Sequence, residues 1–156
     1  MAGMKLLKRI SQAVLAVFYG SAGVLHFMQP ESFVRIVPPY LPWPLGLVEV
    51  SGVAELAIGL GFLAAFWKRA LERPAAWGAV ALLIAVYPAN VNMWWNDVWL
   101  GGQPPQPWFH AVRLPLQFVF ILWAWWHTRP DRSEADPARR SSSAAAAGLH
   151  EGAEEA

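Results

Sequence analysis

Between residues 10 and 30 the chain carries no Asp, Glu, Lys or Arg, and the same holds between residues 74 and 96. An α-helix needs about 20 largely apolar residues to cross the hydrocarbon of a bilayer, and about 17 suffice. Two further segments come close: 47–67, interrupted by Glu49 and Glu55, and 114–128, which follows Arg113 directly. A soluble amphipathic helix shows a polar stripe every 3.6 residues, and the central runs show none. Composition agrees, with 56% hydrophobic and 15% charged residues against about 25% charged in soluble domains. The expected fold is therefore all-α: a transmembrane four-helix bundle spanning 10–28, 47–67, 75–94 and 111–127, in a membrane domain of residues 1–128. The fourth span requires the Arg113 guanidinium to snorkel.

Orientation follows from the cations. Lys5, Lys8 and Arg9 precede the first span, Lys68, Arg69 and Arg73 lie between the second and third, and Arg129, Arg132, Arg139 and Arg140 follow the fourth. Four spans put these ten on one side and leave Arg35 and Arg113 on the other, so the positive-inside rule predicts both termini in the cytoplasm. Tryptophan divides in the same way. Trp43, Trp94, Trp95, Trp99 and Trp108 fall at the outer ends, and Trp67, Trp77, Trp123, Trp125 and Trp126 at or near the inner ends, as expected of indoles anchoring at two interfaces. The N-terminus has a rival reading: basic residues, an apolar run and then Gly20-Ser21-Ala22-Gly23 have the shape of a cleavable signal. The run continues through Val24, Leu25 and Phe27, however, which favours an uncleaved first helix. Residues 129–156 mix charges with Ser and Ala runs and read as a disordered cytoplasmic tail. Nine Arg against three Lys, with abundant Ala and Trp, hint at a GC-rich bacterial gene, hence a bacterial inner membrane.

An ionisable residue inside a span is costly and is a functional candidate by default. On this topology His26, Glu49, Asn90, Asn92, His110, Arg113 and Gln117 fall in the outer half, with Glu55 six residues beyond Glu49 and about 9 Å deeper at 1.5 Å per residue. The inner half is expected to hold almost no buried polarity. His110, Arg113 and Gln117 share a stripe at i, i+3, i+7, while Tyr19, Gly23 and His26 share a face of the first helix. Glu55 shares its face with Ser51, Gly52 and Gly59, small residues that let helices approach closely. Pro88 predicts a kink in the third span. The first outer loop is Pro-rich yet greasy, so 33–37 reads as an interfacial segment and 38–44 as a stiff cap over the polar cluster. The second outer loop, 97–108, reads as the other wall.

Several of these pieces resemble the DoxX-like membrane proteins. They are Gly23-Val24-Leu25-His26-Phe27 with Pro30 and Phe33, Ile36-Val37-Pro38-Pro39 with Leu41-Pro42, and Ser51-Gly52-Val53-Ala54-Glu55 with Gly59. Pro88-Ala89-Asn90-Val91-Asn92-Met93 and Arg113-Leu114-Pro115-Leu116-Gln117 extend the likeness across residues 10–128. The resemblance implies a small bacterial four-helix membrane protein. Its relatives include subunits of a thiosulfate:quinone oxidoreductase and membrane partners in redox-defence complexes.

Three functions are compatible with the chain. The first is the membrane subunit of an oxidoreductase, with a quinone in the outer half: Glu55, His26 and Tyr19 are suitable proton donors and Arg113 can stabilise developing charge. The second is a non-catalytic scaffold in which Glu49 or Glu55 pairs with Arg113 to fix helix register and a partner docks on the cap or tail. The third, a small proton-linked carrier using Glu55 and Arg113, fits least, since no inverted repeat is visible and the inner half lacks a polar lining. No nucleophile, metal or nucleotide motif points to catalysis by the isolated chain. His26 and His110 lack the third ligand or i, i+4 pairing that a metal or haem site would favour. With no cysteine, any redox step has to come from a partner protein or a bound cofactor. The expected partners are the bilayer and either a redox protein or a second copy, and a net charge of +1 gives no reason to expect nucleic acid.

Overall fold

A computed structural model of the chain describes residues 2–96, 98 and 107–129. Among these it is all-α: α1 (Ala2–Met28), α2 (Pro30–Val34), α3 (Pro44–Ala64), a 3-10 turn (Arg69–Leu71), α4 (Glu72–Ala85), α5 (Tyr87–Trp95) and α6 (Pro107–Thr128). The segments Gly3–Met28, Pro44–Ala64 and Arg69–Trp95 are long and apolar enough to cross a membrane. The architecture is that of a multi-pass membrane protein. The fourth expected span coincides with α6, which has comparable length but carries Arg113, Pro115, Gln117 and His127. The second outer loop lies almost wholly outside the described residues, as does the tail beyond Arg129.

Proline marks the boundaries. Pro30 and Pro44 open α2 and α3, where a fixed φ suits the first helical turn and the missing N–H has no intrahelical acceptor. Pro88 separates α4 from α5 at Val86, whose carbonyl takes the N–H groups of both Ala89 and Asn90 at 3.1 and 3.2 Å. The predicted kink is therefore a real break. α3 begins and ends three residues earlier than the sequence suggested, because Pro44 starts it and the chain turns at Phe66–Trp67.

α1 packs along α3, α3 against α4, and α4 against α6, with α2 on α3. Glycine explains the first contact. A Cβ on Gly59 would lie 2.7 Å from the Gly20 nitrogen, and one on Gly52 would lie 2.8 Å from the His26 Cβ. The core, with Leu15, Tyr19, Ile58, Phe62, Ala76, Ala79 and Ala124, fills the half of the bundle nearer the start of α1. Large aliphatic side chains point outward instead: Val17, Leu60 and Leu122 are 71%, 63% and 61% exposed. Small inside and greasy outside is the distribution expected where lipid is the solvent.

Candidate functional site

Towards the other end the bundle opens into a cleft of about 440 Å³. One wall is built by α1 and α3. Tyr19 is buried there, and His26 Nδ1 lies 2.9 Å from the Ala22 carbonyl and 2.8 Å from Glu55 Oε2. The Phe33 ring stacks on His26 at 3.8 Å and so ties α2 to α1. The facing wall comes from α4, α5 and α6. Gln117 accepts from Asn90 Nδ2 at 2.7 Å and donates to the Leu83 carbonyl at 2.6 Å, bridging the α4–α5 break. A proline break frees backbone groups, and in an apolar medium a side chain from a neighbouring helix must satisfy them. Arg113, half-buried, sets its guanidinium against Met93 Sδ. Phe33, Ile36, Val37, Pro38 and Leu41 cover the cleft, and Asn92 holds this cover by donating to the Ile36 carbonyl at 3.0 Å.

Six of the nine candidates thus line one cleft: Tyr19, His26, Glu55, Asn90, Arg113 and Gln117. Asn92 supports it from behind. Glu49 is exposed and stands apart, because it sits one helical face away from Glu55. The His110 side chain lies outside the described residues. The register pairing with Arg113 is corrected: the described ion pair of Glu55 is with His26.

The expectation of a nearly apolar inner half is also corrected. Lys8, Ser11 and Gln12 near the start of α1, Glu72 at the start of α4 and His127 at the end of α6 are all buried, His127 completely. Trp123 Nε1 donates to Ser11 Oγ at 2.6 Å, and Ser11 Oγ lies 2.8 Å from His127 Nε2. His127 Nδ1 lies 2.9 Å from Glu72 Oε1, which Lys8 approaches at 3.4 Å. An indole only donates. Ser11 Oγ therefore accepts from Trp123, and His127 bridges Ser11 through Nε2 and Glu72 through Nδ1. Serine, histidine and glutamate in this order share their residue types with the hydrolase triad but not its setting. Ser11 stands within a helix whose backbone N–H groups are already bonded, so among the described residues its own helix offers no free backbone donor of the kind a hydrolase triad uses.

This cluster closes helix ends. Gln12 donates to the Phe62 carbonyl at 2.7 Å, and Arg9 to the Ala65 carbonyl at 3.3 Å, covering acceptors in the last turn of α3. Lys8 does the same for the Arg129 carbonyl at 3.0 Å. The signal was present as Lys8, Ser11 and Gln12 at i, i+3, i+4, in line with Leu15 and Tyr19.

A family model described as "Domain of unknown function (DUF8561)" matches residues 15–128. No curated protein and no solved structure matches the chain. The matched span contains the whole described cleft and leaves out Lys8, Ser11 and Gln12. The chain belongs to the DUF8561 family.

Proposed function

We propose that the chain is a four-span protein of a bacterial cytoplasmic membrane, with both termini inside, that binds a quinone as the membrane subunit of an oxidoreductase complex. The observation that carries this reading is the cleft. At about 440 Å³ it falls within the range of small-molecule sites, which are mostly apolar with a few convergent polar groups. A quinone head group has an apolar ring and two oxygens on opposite edges. Here the ring would lie among Phe18, Val86 and Phe120, with Glu55 and His26 towards one oxygen and Arg113 towards the other. The resemblance to DoxX-like proteins supports the same class. With no cysteine in the chain, electrons come from a partner protein, while this chain binds, orients and exchanges protons.

Topology is supported by the joined ends of the bundle. Lys8 at the start of α1 donates to Arg129 just beyond α6 at 3.0 Å, which favours an even number of crossings and α6 as the fourth.

The test is equilibrium binding of decyl-ubiquinone and a menaquinone analogue to the protein in nanodiscs, with Arg113→Ala alongside. Saturable micromolar binding is expected, weakened about tenfold by the substitution through loss of a charge-assisted hydrogen bond. A folded parent protein without saturable binding would sink this reading. It would favour the scaffold, for which the internally closed Asn90–Gln117–Leu83 chain speaks.

A further inference from the structure

The two walls of the cleft differ in what they offer a ligand. Glu55 Oε2 is buried and receives no hydrogen bond of acceptable geometry among the described residues. Its neighbour His26 Nδ1 carries at most one hydrogen, and that nitrogen is also 2.9 Å from the Ala22 carbonyl. One donor therefore serves two acceptors. A carboxylate has about four lone-pair sites, so Oε2 has room for a donor from the ligand, on a wall where the Tyr19 hydroxyl and the His26 ring are the other polar groups. On the opposite wall Gln117 is committed on both sides, to Asn90 and to Leu83; Asn90 gives Nδ2 to that bond, and the charged group there, Arg113, only donates.

On the quinone-binding reading, on which it rests, we infer that the cleft is built for the reduced ligand, a dihydroxyarene, with one hydroxyl given to Glu55 and the other oxygen accepting from Arg113. A quinol oxygen both donates and accepts, so it satisfies each wall. A quinone carbonyl only accepts. It satisfies Arg113 but would set a lone pair against the Glu55 carboxylate, leaving two acceptors face to face in a low-dielectric site, where unpaired polar groups are costly. The preference concerns binding and involves no transfer of electrons within this chain. Phe18 and Phe120 meet across α1 and α6 with ring centroids 5.5 Å apart and form an aromatic side of the cleft.

The experiment compares three probes anaerobically in nanodiscs: decyl-ubiquinol, decyl-ubiquinone and the dimethyl ether of the quinol, which has no hydroxyl hydrogen. The quinol is expected to bind about tenfold more tightly than either other probe. Glu55→Gln, whose amide can donate as well as accept, is expected to bring the ratio of quinol to quinone affinity towards one. The ratio in the parent protein is decisive even if that variant fails to fold. Equal or tighter binding of the quinone would overturn the inference and leave the quinone-binding reading standing. Binding of none of the three would overturn both.

Discussion

Glu49 and Glu72 are both acidic residues close to the start of a helix, yet one is exposed and the other 4% exposed. The difference lies in what the neighbouring helices offer. Glu72 receives His127 at 2.9 Å and Lys8 at 3.4 Å, with Arg69 at 3.9 Å from its outer oxygen. Removing one partner of a buried ion pair leaves the others uncompensated, at a typical cost of about 3–5 kcal/mol. Glu72→Ala is therefore expected to destabilise the protein by about 3 kcal/mol, and Glu49→Ala by no more than about 0.5 kcal/mol. Equilibrium denaturation in mixed micelles measures both, and equal effects would mean that the network contributes nothing. Glu55 was legible in the sequence because a charge inside a charge-free run stands out. Glu72 was not, because Arg69 and Arg73 beside it make a loop charge the natural reading. His127 was hidden in the same way by Trp125, Trp126 and Arg129, which look like an interface.

Helices are selected here by hydropathy and ended by proline, both local properties, so α1, α3 and the α4–α5 pair could be read without tertiary information. Their spacing could not be read with the same detail. The sequence shows that Gly52 and Gly59 share a face with Glu55, but not that Gly59 meets backbone. A methyl group at Gly59 would be 2.7 Å from the Gly20 nitrogen, whereas one at Gly20 would have nothing within 4 Å. Backbone cannot rotate out of the way as a side chain can, so the helices must part. Overpacking of this kind costs about 1–3 kcal/mol, while alanine in an open helical position gains up to about 1 kcal/mol over glycine. Gly59→Ala is thus expected to lower the melting temperature in detergent, and Gly20→Ala to hold or raise it. A matched response would show that α1 and α3 are not in close contact. The cleft depends on this asymmetry, since α1 and α3 are drawn together while side chains alone join α1 to α6 at the far end.

At the scale of the molecule, the charge pattern and the two polar clusters belong to one polarity. The end that gathers Lys8, Arg9, Arg69, Glu72 and Arg129 uses its cations to cover helix carbonyls and to balance one buried carboxylate. The opposite end holds the cleft and few cations. On the proposed topology the basic end lies inside, as an anionic inner surface and a negative interior potential favour, and the cleft mouth faces outward. Because the chain has no cysteine, single substitutions report position without background. Gln29, just beyond α1, and Ala70, between α3 and α4, are both exposed. In intact cells an impermeant maleimide is expected to label Gln29→Cys at once and Ala70→Cys only after the inner membrane is permeabilised. Arg129→Cys is expected to behave as Ala70→Cys does if α6 crosses, and as Gln29→Cys does if it does not. Reversal of the first two would place the cleft on the cytoplasmic side, and its proton exchange would then draw on the inner rather than the outer aqueous phase.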